Sequence, residues 1–390
     1  MNRLKAIDCF PIKLPRDFAA ARGTAGSPHE LHGEGEYRWS AHFPALYSTQ
    51  FETALVRIEL DSGLVGWGEA QAPLAPEVPA EIVRRLLAPT LAGESFDGGQ
   101  EEIERLWWRM YSTMRVRGQT GGFMLDAISG VDLALWDLAG KLAGKSVSKL
   151  IAGQEALAQV PAYVSGVPGA DLEAKLSFVR KKWEEGFRIF KLYFDSSWED
   201  LLGLIDRLRS EFGGISIAID ALWHLPPGRE TACARTLADR EIHWLECPLA
   251  PEDVEGHARL AQEGGVSLAL GESYRTRFEA APFLREGVVK YWQPDLGRTG
   301  LTEALVLARL AAQCGAEIVP HTSIALPPQM AAAIHLASAL PNCFLGEYNP
   351  AVLEFSNRFA EIHLENAAYR VPTDSGWGLQ LDSLSALIPQ

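Results

Sequence analysis

Ile215-Ser216-Ile217-Ala218-Ile219-Asp220 is a short apolar run closed by a carboxylate, and its kind recurs at a fixed interval. Twenty-six residues on, Ile242-His243-Trp244-Leu245 runs into Glu246, and 26 further, Val266-Ser267-Leu268-Ala269-Leu270-Gly271 precedes Glu272. Asp295, His321 and Glu347 continue the series at steps of 23, 26 and 26. That interval is the length of one strand plus one helix. Acid-base side chains recurring once per βα unit, at the carboxyl ends of strands, are how a barrel of parallel strands builds an active site on one rim.

Working outward from that series, strands are expected at residues 160–165, 187–194, 215–220, 242–247, 266–271, 288–295, 317–320 and 343–347. The segments between them, such as 172–185, 198–212, 301–314 and 328–340, carry Leu, Ala, Ile and Phe at helical spacing. Eight such units predict an α/β fold with a closed parallel sheet. Residues 1 to about 125 do not share the period. Thr53 to Glu69 alternates apolar residues on both sides of Asp61-Ser62-Gly63, as an antiparallel hairpin does. Helical patterning follows at 79–91, 99–112 and 125–142. Before the hairpin, residues 16–50 are crowded with Gly, Pro, His and aromatics, which predicts a lid or binding loop presenting Tyr37, Trp39 and His42 to a ligand.

The chain has 390 residues, enough for a barrel of roughly 200 to 250 and a second domain. Apolar residues make up 47% of it, sufficient for a large core. Fifty acidic against 36 basic residues leave a net charge of -14, which argues against nucleic acid or an anionic membrane as partner. Five scattered cysteines without a C-x-x-C pair fit a reducing cytoplasm. With no apolar leader and no long uncharged apolar run, a soluble cytoplasmic protein is expected.

Asp220, Glu246 and Glu272 on consecutive strand ends would face one barrel mouth, and three close carboxylates repel unless a cation lies among them. Hard oxygen donors without His or Cys favour Mg²⁺, with Mn²⁺ as the alternative. His321 and Asp295 end neighbouring strands, so the carboxylate can orient the imidazole as a base. Lys191 and Tyr193 lie two apart on one strand and share a face, across the mouth from His321; an ammonium there could neutralise a substrate carboxylate. No dinucleotide, Walker, zinc-protease or serine-hydrolase motif occurs.

Ala127-Ile128-Ser129-Gly130-Val131-Asp132-Leu133-Ala134-Leu135-Trp136-Asp137, Trp244-Leu245-Glu246-Cys247-Pro248-Leu249, Gly271-Glu272-Ser273, Gln293-Pro294-Asp295-Leu296-Gly297-Arg298-Thr299-Gly300 and Val319-Pro320-His321 together resemble the mandelate racemase and muconate lactonizing branch of the enolase superfamily. The resemblance implies an N-terminal α+β capping domain (residues 1–125, lid at about 16–50) over a modified (β/α)7β barrel of the TIM type (126–370). A C-terminal segment (371–390) would pack back on the cap. It implies Mg²⁺ on Asp220, Glu246 and Glu272, a His321–Asp295 dyad, Glu347 as a carboxylate-binding acid, and a homo-oligomer acting on a small carboxylate.

Two departures shape the expected chemistry. The branch usually carries Lys-x-Lys on the second strand and Asp-x-Asn on the third, whereas here they read Lys191-Leu192-Tyr193 and Asp220-Ala221-Leu222. A tyrosine is a plausible acid but a poor base unless Lys191 lowers its pKa. One good base suits dehydration of an acid sugar, with Tyr193 or the imidazolium as proton donor, better than two-base racemisation. Cycloisomerisation or epimerisation of an acid sugar or lactone is the alternative within the enzyme class; a metal-binding protein that has lost catalysis is the alternative outside it. His224 is a candidate to replace part of what the third strand lost.

Overall fold

A computed structural model of the chain describes residues 2–16, 31–40 and 45–388. Near the N-terminus, Leu4–Pro15 pairs antiparallel with Gln50–Leu60, which pairs in turn with Val65–Ala70 across a tight turn. Gly63 makes that turn at φ 84°, a left-handed conformation that favours glycine. Part of the stretch expected as loop is instead a small antiparallel sheet of Leu31–His32, Tyr37–Ser40 and Ala45–Ser48. Strands of two to four residues are too short for alternation to show in sequence, and contacts made elsewhere hold these.

The capping sheet rests on helix Gly122–Ala143, in which every residue from Met124 to Gly140 is buried. Glycines permit this approach: a Cβ at Gly68 would come 2.6 Å from the Ala134 amide nitrogen and closer still to the Gly130 carbonyl. Asp137 on this helix accepts the backbone N–H groups of Trp67 (2.9 Å) and Trp377 (2.9 Å), tying the hairpin and the C-terminal segment to one carboxylate.

Eight parallel strands make up the barrel: Gln159–Ser165, Ile189–Tyr193, Ser216–Asp220, Leu245–Glu246, Leu268–Leu270, Tyr291–Trp292, Glu317–Ile318 and Gly346–Tyr348. They pair in sequence order, and the eighth returns to pair with the first. A parallel bridge between Ile318 and Cys343 joins the seventh strand to the segment entering the eighth. The fold is a modified TIM-type barrel under an α+β cap.

Tyr163, Ala218, Trp244, Ala269, Tyr291, Val319 and Leu345 form their own buried cluster, one from or beside every strand but the second. Large rings alternate with alanines; Trp244 meets Tyr163 edge-on at 5.2 Å and Tyr291 at 5.4 Å. This plug fills the barrel, as interior layers of such barrels do, and leaves the mouth for chemistry.

Candidate active site at the barrel mouth

Two residues beyond each plug residue, on the same strand face, stand Ser165, Asp220, Glu246, Gln293, His321 and Glu347. Lys191 takes that place on the second strand, two beyond the partly buried Ile189. The alternation of a strand therefore produces an apolar floor and a polar layer above it. Glu272 is the exception. It follows Gly271, where a side chain would collide with the backbone of Gln293 on the neighbouring strand.

One oxygen each from Asp220, Glu246 and Glu272 lies within 4.8 Å of the others. Burial, then the charges of Glu246 and Glu272, push the Asp220 carboxyl well above the usual range. A cluster of hard oxygens that resists ionisation for want of positive charge fits a divalent cation. Glu246 is held rigidly: its Oε2 accepts from Trp244 Nε1 (3.0 Å) and Gln293 Nε2 (2.8 Å), and its Oε1 from Lys191 Nζ at 2.5 Å.

Lys191 also lies 3.0 Å from Glu347 and 3.7 Å from Asp220. Burial opposes its charge, but these carboxylates outweigh burial and keep it an ammonium. Glu347 accepts the Thr322 N–H at 2.7 Å. Its burial favours the neutral acid, yet Lys191 and His321 hold its pKa down at about 2.

His321 Nδ1 donates to Asp295 Oδ2 at 2.9 Å, and Nε2 lies 3.1 Å from Glu272. Asp295 is fixed by the Gly297 N–H and Gln329 Nε2, both at 3.0 Å. Burial lowers the imidazole pKa, but Glu272, Glu347 and Asp295 together raise it to about 10. The Nδ1 bond to Asp295 leaves Nε2 toward the carboxylate cluster.

Tyr193 hydrogen-bonds Ser165 Oγ at 3.0 Å. Burial pushes its phenol well above the ordinary value, and Lys191, its ring 5.9 Å away, only partly offsets this. Lys191 thus does not bring the phenol down toward a base, and burial leaves Tyr193 suited to the acid role. His224 stacks on Phe194 at 5.3 Å with Nδ1 2.8 Å from the Leu222 carbonyl, and it does not line the mouth. Leu222 and Trp223 take left-handed φ of 51° and 64°, turning the chain sharply away after Asp220.

The mouth opens into a cavity of about 470 Å³ that also reaches Arg16, Tyr47, Ser48, Gln71, Arg298 and Asn349. Of the expected lid contacts, Tyr37 is not among the residues lining the cavity; it donates to Glu52 (2.9 Å) and accepts the Ala75 N–H (2.9 Å). Trp39 is 45% exposed and also off the lining; His42 falls outside the described residues. Tyr47 and Ser48, from the same hairpin, take their place. Trp244, Gln293 and Gln329 were not singled out from sequence, although two-residue spacing from Glu246 and Asp295 could have indicated the first two.

Three carboxylates, a lysine and a His–Asp pair on one rim of a capped barrel define a class: metal-assisted enzymes that remove a proton beside a carboxylate. Residues 39–152 match the mandelate racemase/muconate lactonizing enzyme N-terminal domain, and residues 176–385 the enolase C-terminal domain-like family. The chain belongs to the mandelate racemase/muconate lactonizing branch of the enolase superfamily, whose members here are lyases and isomerases. A D-galactarolactone cycloisomerase of Agrobacterium fabrum is 31% identical over 84% of this chain and 88% of its own. A D-galactonate dehydratase of Verminephrobacter eiseniae is 29% identical over 85% and 89%. The solved structure of an enolase-superfamily member from Agrobacterium tumefaciens superposes with a TM-score of 0.91 at 28% identity, covering 100% of both chains.

Proposed function

We propose that this protein is a Mg²⁺-dependent acid-sugar dehydratase. The observation that carries the reading is the pairing of one well-placed base, His321 on Asp295, with a second-strand tyrosine that keeps its proton. Asp220, Glu246 and Glu272 would hold the metal, which when bound supplies charge to bind the substrate carboxylate and to stabilise the enediolate. Lys191 and Glu347 flank that carboxylate, the ammonium by attraction and the acid by fixing its orientation. A cation on the three carboxylates would relieve the pull that keeps His321 protonated, and Asp295 would then hold the neutral imidazole so that Nε2 takes the α-proton. The β-hydroxyl then leaves with a proton from the imidazolium or from Tyr193, giving a 2-keto-3-deoxy acid.

Loss of a ring oxygen in place of the hydroxyl would make the same residues a lactone cycloisomerase, and the relative of that name at 31% identity favours keeping this second reading. Purified enzyme with Mg²⁺ is expected to turn at least one member of a panel of aldonic and aldaric acids into a semicarbazide-reactive product. Silence across that panel, with turnover of lactones, would transfer the assignment to the cycloisomerase. Silence on both would leave the metal-binding pseudoenzyme. A reducing cytoplasm and a symmetric homo-oligomer complete the proposal, consistent with free cysteines and with no helix among the described residues long and apolar enough to cross a membrane.

A further inference from the structure

Arg298 is half-buried on the cavity wall, three residues past Asp295. Its Nε donates to Gln71 Oε1 at 2.6 Å, a neutral partner. Among the described residues no carboxylate lies in salt-bridge range of the guanidinium; Asp126, whose charge acts on it, is bound to Arg275 and feels Arg298 only at longer range, and the two terminal nitrogens of Arg298 have no hydrogen-bond acceptor. The site is otherwise rich in acids, each with a neutralising partner or a place in the metal cluster. A guanidinium taken partly out of water without a carboxylate bonded to it is costly, and its planar fork suits a carboxylate held by two parallel bonds.

Its place in the ring adds a direction. Lys191 stands on the second strand and Arg298 follows the sixth, four strands away in a ring of eight and so across the mouth. Lys191 and the carboxylate cluster receive the end of the substrate that reacts. Arg298 then faces the other end. Arg16, whose Nε bonds the Gln50 carbonyl at 3.0 Å, lines the same cavity and adds positive charge to it.

We propose that Arg298 binds a second, distal carboxylate, so that the preferred substrate is an open-chain dicarboxylic acid sugar, an aldarate, and not an aldonate or a lactone. This rests on the acid-sugar reading above and narrows it. Galactarate and galactonate, which share their hydroxyl configuration and differ at the distal carbon, are the probes, with galactarolactone as the third.

The wild-type enzyme is expected to show a kcat/KM for galactarate at least about tenfold above that for galactonate. Arg298→Met should lower kcat/KM on galactarate by roughly tenfold to a hundredfold more than on galactonate, mainly through KM, and Arg298→Lys should recover part of the difference. Gln71→Leu, which removes the neutral bond without touching the charge, should shift both substrates alike. Equal losses on both acids in Arg298→Met, or the same selectivity from Gln71→Leu, would show that Arg298 only ties the cap to the barrel, and the proposal falls. Calorimetry on Mg²⁺-loaded His321→Asn, with and without Arg298→Met, separates binding from turnover. Arg298-dependent preference for galactarate without wild-type turnover keeps the dicarboxylate site and sinks the dehydratase reading. No preference, or tighter binding of galactonate or the lactone, overturns the site itself.

Discussion

At the scale of single residues, the site divides its labour by what burial permits. Among the described residues His321 is the side chain that both carries an orienting carboxylate on one ring nitrogen and turns the other toward the carboxylate cluster. His321→Asn is expected to lower kcat by about a thousandfold or more while leaving Mg²⁺ binding intact, as magnesium titration of the variant will show. Tyr193 has no such indispensability, because the imidazolium it would assist already holds a proton. Tyr193→Phe should cost about tenfold to a hundredfold in kcat; a loss as deep as that of His321→Asn would make the phenol the principal acid. Gln293 matters through Glu246, whose Oε2 it holds at 2.8 Å. Gln293→Met is therefore expected to weaken Mg²⁺ about tenfold to a hundredfold, read as a shift in the concentration needed for half-maximal rate.

At the scale of elements, the barrel strands carry a rule of two that the sequence shows plainly once the strand is placed. Ala218 and Asp220, Trp244 and Glu246, Val319 and His321, and Leu345 and Glu347 each put a plug residue and a site residue on one inward face. This is why Asp220, Glu246, His321 and Glu347 were legible, and Glu272 and Asp295 followed from the same interval although they stand off the rule: regular strands repeat, and the period of the βα unit labels their ends. The lid obeyed no such rule. Its short strands are held by Tyr37 and Ser48 on the buried Glu52 of the capping sheet, contacts between segments that no local pattern announces. The capping sheet and helix Gly122–Ala143 meet backbone to backbone. Gly68→Ala should force them apart at a cost of about 2–3 kcal/mol, measured by urea unfolding; an unchanged midpoint would mean that the interface can yield.

At the scale of the whole molecule, the C-terminal segment closes the structure through groups that burial keeps neutral. His335 accepts the Ser148 N–H on Nδ1 (3.3 Å), while its Nε2–H donates to the Trp377 carbonyl (3.0 Å). Burial depresses its pKa from the ordinary value of 6.5 to about 4. The folded state thus disfavours the proton that the unfolded chain accepts. Stability from this site is fully present above about pH 6.5 and is lost progressively as pH falls toward 4, by roughly 3 kcal/mol in all. Denaturant titrations at pH 7.5, 6 and 5 should show that slope, and His335→Asn should flatten part of it. Chelation acts on the same scale. On the proposed reading Mg²⁺ would bind the folded cluster and not the unfolded chain, so EDTA is expected to lower the melting temperature as well as abolish turnover; a melting temperature indifferent to Mg²⁺ would count against the three-carboxylate site.

What the sequence by itself determined was the barrel, its rim and the identity of the groups there, because strand alternation and the βα period are local and repeat eight times. Tertiary structure alone decided the state of those groups and their surroundings. Burial keeps the proton on Tyr193 despite the nearby ammonium, Gly271 lets Glu272 reach the cluster, and Arg298 meets the cavity bonded only to the neutral Gln71. Each of these depends on charges and backbone brought together from strands far apart in the chain, and electrostatic fields follow distance in space, not position in sequence.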